Sequence, residues 1–297
     1  PFQMLTQLEL SSAHWARIAR KGSWQMVRQN LNTFQRHGVF GVTKNVDHVA
    51  ALLRNPEAIA KARAFPYQLM VAAQNVNGDM PTAIVDALHD AMEIAVQNVP
   101  KVTGQVVVCP DVSGSMTWSA TGRRPGATAV VRHVDVAALV AAAFQRVNRG
   151  CQVLPFDFEV RDVRLRPRDT ILTNAERLAD LAGGGTICSA PLKWLYDRGR
   201  SPDLVVFVSD NQSWVDARKG RQGTAMLKEW EAIKRRNPKA KLVCIDIAPY
   251  GTTQAQTRAD VLNVGGFSDA VFDQIAAFAA GQTGPDHWVG EIEQIEI

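Results

Sequence analysis

Residues 106–116, VVVCPDVSGSM, are the stretch that decides the fold. The stretch begins with a run of valines at 106–108, which is typical of a strand whose two faces are both covered. Directly after this run come one carboxylate and two hydroxyls at alternate positions: Asp111, Ser113 and Ser115. Open parallel sheets bind ligands at the carboxyl ends of their strands. The pattern therefore predicts a buried strand that leads into a binding loop.

The side chains of this loop favour a hard divalent cation. Oxygen donors without His or Cys suit magnesium better than zinc. The alternative is a serine-rich turn that caps a helix, which is the default interpretation of residues 113–115, SGS, taken alone.

Two later segments bear on that choice. Residues 183–186, GGGT, place a hydroxyl on a glycine-rich loop before a predicted helix, and residues 205–210, VVFVSD, form a second buried-type strand that ends in Ser209 and Asp210. In this order, the elements resemble the metal-ion-dependent adhesion site of von Willebrand factor A (vWA) domains. The resemblance implies one bound divalent ion, expected to be Mg²⁺, with a position left open for a partner's oxygen. The implied metal residues are Asp111, Ser113, Ser115, Thr186 and Asp210.

Composition and cysteine usage limit the class of protein. The 297 residues are 46% hydrophobic, which is enough for two domains. We find no apolar run of about 18 residues, so no membrane span is predicted, and residues 1–10 do not resemble a signal peptide. Cys109, Cys151, Cys188 and Cys244 are scattered without metal-site spacing, as expected of buried free thiols. These features favour a cytoplasmic protein, which we expect to be a monomer.

The formal net charge of +4 is concentrated near the beginning of the chain. Residues 1–40 contain five basic residues and one acid, Glu9, and the remaining 28 basic and 28 acidic residues cancel. Clustered cations of this kind can contact a phosphate backbone. The alternative is an ordinary solvated helix face. The candidate RNA-binding residues are Arg17, Arg20, Lys21, Arg28, Arg36 and Lys44.

Periodicity divides the chain into a helical part and an α/β part. Up to about residue 100 we predict short helices. The first is capped by Ser11 or Ser12, and the second begins after Gly22-Ser23, has an apolar repeat from Trp24 to Phe34 and ends at His37-Gly38. In these helices Trp15, Trp24 and Phe34 are expected to be core residues. After a junction at 100–104, strands and helices alternate, which favours a mostly parallel, doubly wound sheet of Rossmann-like type. The predicted strands are 105–109, 152–158, 160–165, 204–208, 241–247 and 261–264.

A helical region leading directly into a vWA motif resembles the Ro ribonucleoprotein family, which combines a TROVE module with a vWA domain. Supporting segments are 24–34 (WQMVRQNLNTF), 62–67 (ARAFPY), 182–192 (AGGGTICSAPL) and 208–214 (VSDNQSW). Asp157 stands where the family often has an F-S-D turn. The resemblance implies HEAT-like helical repeats over 1–103, a vWA domain over 104–284, and a tail at 285–297 that packs on the helical region.

The same resemblance implies a function. Ro proteins are non-enzymatic and bind Y-like RNA and the single-stranded ends of misfolded non-coding RNA in RNA quality control. A protein partner at the metal site, such as an exoribonuclease, is also implied. The chain begins near the later part of the family's helical region, so we expect a fragment, a minimal form or an open ring. An insertion at 118–133 places Arg123, Arg124 and Arg132 near the metal edge, either for an acidic partner or phosphate or as a solvated loop.

Two other functions are compatible with the residues. A protein-interaction module would use the metal to bind an Asp or Glu of a partner, with no role for RNA. A metal-dependent hydrolase would need a base, for which His133 and Asp135 are candidates. His-x-Asp before a helix is more typical of a cap, however, and the glycine loop lacks the Lys-Ser/Thr of a phosphate-binding loop. We therefore expect no enzymatic activity.

Overall fold

The computed structural model describes residues 8–120, 130–210, 224–248, 258–266 and 270–282. Two compact units divide the chain: a helical unit that ends at Asn98 and an α/β unit that begins at Val99. Within the described ranges, no helix combines the length and the apolar character that a membrane span requires.

The helical unit consists of short helices with well-defined starts. They are α1 (Ser12–Lys21), α2 (Trp24–Gln29), α3 (Leu31–Arg36), α4 (Thr43–Leu53), α5 (Pro56–Lys61), α6 (Pro66–Gln74) and α7 (Thr82–Ala95). Ser11 caps α1 and Ser23 caps α2, because each side chain accepts a hydrogen bond from a backbone N–H three residues later. Pro56 and Pro66 occupy the first turns of α5 and α6, where a missing N–H costs nothing.

The predicted core of this unit is confirmed. Trp15, Trp24 and Phe34 are all buried, and the Trp24 indole N–H donates to the Leu53 carbonyl at 3.1 Å. The prediction of a single helix from Trp24 to its end at His37-Gly38 is wrong. Asn30 interrupts it with φ −121°, and its side-chain amide donates to the Met26 carbonyl at 2.7 Å. Asparagine side chains compete with helical backbone bonds in this way.

The α/β unit is a parallel sheet in the order β2-β1-β3-β4-β5. Its strands are β1 (Val106–Pro110), β2 (Gln152–Val153), β3 (Leu204–Ser209), β4 (Lys241–Asp246) and β5 (Val261–Gly265). Its helices are α8 (His133–Val147), α9 (Ile171–Ala179), α10 (Ala190–Asp197), α11 (Thr224–Arg236) and α12 (Ala270–Ala280). The predicted parallel α/β class is therefore confirmed.

Strands β1 and β3 form the centre of the sheet and are buried along their whole length. Trp230 of α11 and Leu192 of α10 share one core with alternate residues of these strands, such as Val107 and Phe207. The chain leaves β1 for β2 on one side, and β3 lies on the other side. The carboxyl ends of β1 and β3 thus flank a topological switch point, where open α/β sheets bind ligands.

Two of the predicted strands are shortened or missing. β2 covers only Gln152–Val153, and the predicted strand at 160–165 is reduced to an isolated bridge between Phe156 and Val160. Beyond β2, pairing with β1 continues through single bonds, in which the N–H groups of Leu154 and Phe156 donate to the carbonyls of Val108 and Pro110. The Asp157 carboxylate accepts a 3.2 Å hydrogen bond from the Glu159 backbone, which folds the chain into a turn instead. The four cysteines are buried and free, as predicted.

Candidate metal centre

The two acidic residues of the predicted metal site lie at the ends of neighbouring strands. Asp111 directly follows β1 and Asp210 directly follows β3, and neither side chain is exposed. The strands run parallel with Pro110 opposite Val208, and the Asp111 N–H donates to the Val208 carbonyl at 2.9 Å. The sheet register therefore brings these distant carboxylates to one edge.

Hydrogen bonds hold the Asp111 carboxylate from both sides. Its Oδ1 accepts from the Ser113 N–H at 2.8 Å, and its Oδ2 accepts from the Ser209 hydroxyl at 2.7 Å. Burial raises the pKa of Asp111 to about 6, although the bonds from Ser113 and Ser209 oppose that shift, and the charge of Asp210 adds to it. A cation is the group that would relieve the cost of ionising both carboxylates there.

The hydroxyls of the first loop lie side by side. The Oγ atoms of Ser113 and Ser115 are 3.3 Å apart, with Ser115 in the 3₁₀ turn Gly114–Thr117. Magnesium ligands at right angles, each about 2.1 Å from the ion, would lie about 3.0 Å apart. The two serines are therefore spaced like neighbouring ligands of such an ion.

The glycine-rich loop is attached directly to the first loop. Gly183 donates its N–H to the Val112 carbonyl at 2.8 Å, and Gly184 accepts from the Gly114 N–H at 2.9 Å. The Thr186 side chain on this loop is buried. The structure thus places all five predicted metal residues on three hydrogen-bonded segments at one edge of the sheet.

Gly184 allows a close approach that other residues would not. It has φ +75°, and a Cβ added there would lie 2.9 Å from Oδ2 of Asp157. Asp157 is itself buried, and its Oδ2 pairs with the Arg161 guanidinium at 3.3 Å. Asp157 therefore packs against the glycine-rich loop. The sequence indicated a turn at Asp157 but not this contact.

The interpretation of His133-x-Asp135 as a helix cap is confirmed for Asp135, whereas Arg132 is the N-cap and His133 is the first residue of α8. The Asp135 carboxylate accepts from the Arg132 backbone N–H at 2.8 Å and pairs with its guanidinium at 2.6 Å. Arg132 of the predicted insertion is therefore engaged in a local ion pair, while Arg123 and Arg124 lie outside the described residues. His133 is buried beside this site. Burial lowers its pKa, and the nearby charge of Asp210 opposes that shift.

A zinc-like arrangement is not found in the part of the chain that the structure describes. Among the described residues, no three or more His, Cys, Asp or Glu side chains are grouped so that they could hold a metal ion. The candidate centre is instead one in which serine and threonine hydroxyls accompany two carboxylates. That donor chemistry fits a hard cation such as Mg²⁺. Ser209, which sequence reasoning left out of the site, could have been noticed from its position at the end of the strand that leads to Asp210.

The six candidate RNA-binding residues are not equivalent. Arg28 is half-buried and donates from its guanidinium to the Gln68 carbonyl at 2.9 Å, which ties α2 to α6. Its guanidinium also lies 5.6 Å from the centre of the Trp24 ring. The other five are exposed: Arg17, Arg20, Lys21, Arg36 and Lys44.

Comparisons with known proteins agree with this architecture. A family model described as the Ro60 vWA domain matches residues 105–279. The RNA-binding protein RO60 of Deinococcus radiodurans is 27% identical over 266 residues, which are 86% of this chain and 49% of that protein. The RNA-binding protein RO60 of Caenorhabditis elegans is 24% identical over 259 residues, which are 80% of this chain and 37% of that protein.

A solved structure shows the same fold. The crystal structure of the Ro (RSR) protein of Deinococcus radiodurans superposes with a TM-score of 0.70 at 24% identity, covering 86% of this chain and 52% of that one. The chain thus spans about half the length, or less, of the relatives that it matches.

Proposed function

Since the chain belongs to the Ro60 vWA domain family, we propose that it is a non-enzymatic RNA-binding protein of the Ro type. The observation that carries this proposal is the similarity over most of the chain to two proteins named RNA-binding protein RO60. Its finer form is the one that the family resemblance implies: Y-like RNA and the single-stranded ends of misfolded RNA as ligands, bound by HEAT-like helices.

The helical unit offers a surface that suits this role. His14, Arg17 and Lys21 follow one another at three- and four-residue steps along α1 and so share one stripe of the helix. All three line a groove of about 440 Å³, together with Leu10, Ile18, Gly22 and Met26. Cations beside an apolar floor can hold the phosphates of a single strand while the bases lie against the floor. Arg28 is assigned a structural role, because its guanidinium is used within the unit.

A divalent ion at the metal centre is the second part of the proposal. Ser113, Ser115 and Thr186 would hold Mg²⁺, with Asp111 and Asp210 stabilising it directly or through water. When bound, the ion would supply a positive centre for a carboxylate or other oxygen of a protein partner, of which an exoribonuclease is one candidate. The chain's own contribution is the fixed orientation of Asp111, which Ser113 and Ser209 hold by hydrogen bonds.

One titration tests the RNA-binding part. A labelled single-stranded-tailed RNA is bound to the full chain over a salt series, with magnesium and with chelator. We expect salt-dependent binding that survives chelation, and the slope of log K against log salt should fall by about 0.7 for Lys21→Gln. Lys61→Gln is the matched control, since Lys61 is also exposed and also ends its helix. Binding that is insensitive to salt, or absent at low salt, would contradict the proposal.

A protein-interaction module without RNA binding is the second candidate, and the buried carboxylates at the sheet edge favour it independently. Under this alternative Asp111→Ala abolishes capture of an acidic partner, while the parent shows no RNA affinity to lose. If Asp111→Ala loses capture of the acidic partner and keeps the RNA affinity of the parent, the two functions coexist.

A further inference from the structure

A second basic groove lies in the α/β unit, along the edge strand β2. Its volume is about 720 Å³, and it is bordered by β2, by the irregular segment 160–165 and by the end of α10. None of the predicted metal residues lines it. The charged and aromatic side chains in its wall are Arg161, Asp162, Arg164, Trp194, Arg198 and Arg200.

The charged residues of this groove are mostly positive. Four arginines and one acidic residue, Asp162, line it, and all four arginines are exposed. Arg161 pairs with Asp157. Among the described residues, no carboxylate lies within ion-pair distance of Arg164, Arg198 or Arg200. Like charges gathered without counter-charges raise the local potential and favour a polyanionic ligand.

The groove also has a flat aromatic surface. The Trp194 ring is half-buried, and the Arg198 guanidinium lies 4.1 Å from its centre. Arginine stacked on an aromatic ring is a well-suited platform for a nucleic-acid base, because both groups are planar and the cation strengthens the contact. A groove lined by cations and by an aromatic ring matches what single strands require.

The arginines continue beyond the groove along the same segment. Arg166 and Arg168 follow Arg164 at alternate positions and are also exposed. A row of guanidinium groups is suited to a ligand whose negative charges repeat along its length. A single acidic side chain would need only one of them, and an acidic peptide would leave the Trp194 platform unused.

We propose that this groove binds a single-stranded segment of RNA through its phosphates, with one base against the pair that Trp194 forms with the Arg198 guanidinium. The inference rests on the proposed RNA-binding function and adds to it a second contact surface, on the α/β unit. Binding there requires no metal, because the groove contains none of the candidate metal ligands.

The test uses the full chain and a fluorescein-labelled oligouridylate of about 12 nucleotides, which is within the site size of single-strand binders. The double variant Arg164→Gln/Arg200→Gln should weaken binding at low salt about tenfold or more. The slope of log K against log salt should fall by about 1.4. Arg235→Gln/Lys239→Gln removes the same charge from exposed positions outside the groove and should leave the slope unchanged. Arg164→Lys/Arg200→Lys keeps the charge and should keep the slope.

Photocrosslinking with 4-thiouridine locates the strand directly. Crosslinked peptides from 150–165 and 194–200 support the proposal, and crosslinks confined to the helical unit overturn it. If Lys21→Gln weakens binding and the groove double variant does not, the groove assignment fails while the proposed function stands. If the parent does not bind oligouridylate at low salt, both fail. Binding of polyglutamate that the groove variant abolishes, with RNA affinity unaffected, would assign the groove to an acidic peptide and overturn the proposal.

Discussion

Ser209 donates a 2.7 Å hydrogen bond to Asp111, and this contact joins the ends of the two central strands across 98 positions of sequence. The bond holds the Asp111 carboxylate in one orientation from the side opposite to Ser113. It also favours the ionised form of Asp111, in opposition to the effect of burial. Ser209 thus orients a candidate metal residue without being one of the five.

Removal of this hydroxyl should weaken the metal centre. We expect Ser209→Ala to reduce magnesium affinity by about 10- to 100-fold, as is typical when a partner of a metal-binding residue is lost. Isothermal titration with MgCl₂ measures the change. Ser201→Ala is the matched control, since Ser201 precedes β3 at the opposite end of the same strand. Equal affinities for the two variants would show that the contact between Ser209 and Asp111 does not serve the ion.

The stability of the metal-free protein should depend on the protonation of Asp111. Its pKa is raised to about 6, so the folded state binds this proton more tightly than the unfolded chain does. In chelator, the free energy of unfolding should therefore fall as the pH rises from about 4 through 6, by up to about 3 kcal/mol. Denaturant unfolding across this pH range measures the effect.

The control for that titration is Asp111→Asn, which cannot ionise. The part of the pH dependence that comes from Asp111 should disappear in this variant. In the parent at pH 7, saturating magnesium should raise the free energy of unfolding above its value in chelator. A parent and a variant with parallel pH profiles in chelator would contradict the assignment.

Much of this fold could be predicted because its strongest signals are local. The apolar runs before Asp111 and Asp210 are typical of covered strands, and parallel pairing then places their carboxyl ends together. The strand at 152–158 was predicted too long because the apolar character of these residues hides the point at which the Asp157 turn begins. Asn30 was missed for a similar reason, since the apolar stripe continues through the position where the helix breaks.

Features that depend on distant pairs could not be predicted from the sequence. The role of Ser209 can be recognised only once Asp111 is known to lie beside it. Likewise, Arg164 and Arg200 line the second basic groove together only after the sheet has formed. Arg28 is another case in which a distant contact could not be foreseen. As one of a series of basic residues it resembled a phosphate ligand, whereas its guanidinium is used by the carbonyl of Gln68.

Arg28 provides a prediction that separates structure from binding. Arg28→Met keeps much of the apolar stem but loses the charged donor to the part-buried carbonyl of Gln68. We expect the helical unit to lose about 1.5–3 kcal/mol of stability, the range for a hydrogen bond from a charged group. The salt dependence of RNA binding should not change. Chemical denaturation followed by circular dichroism measures the first quantity, and the salt series measures the second.

The result for Lys21→Gln provides the contrast. That substitution should change the salt slope and leave the stability within about 0.5 kcal/mol, because the side chain is exposed. If Arg28→Met lowered the slope by about 0.7 with no loss of stability, Arg28 would be a phosphate contact after all.

Gly184 tests how the metal loops are built. A substitution there combines the free-energy cost of a positive φ with that of a steric clash, and a control variant can separate the two. Gly184→Ala places an L side chain at φ +75° and its Cβ 2.9 Å from Asp157. Gly199→Ala, at φ +68° with open space around it, has the backbone cost alone, about 1–2 kcal/mol. We expect Gly184→Ala to be the more destabilising of the two in denaturant unfolding, and to weaken magnesium binding, because Asp157 or the loop that carries Thr186 must move. If the two variants lose equal stability and bind magnesium alike, the close approach of Gly184 to Asp157 does not position the site.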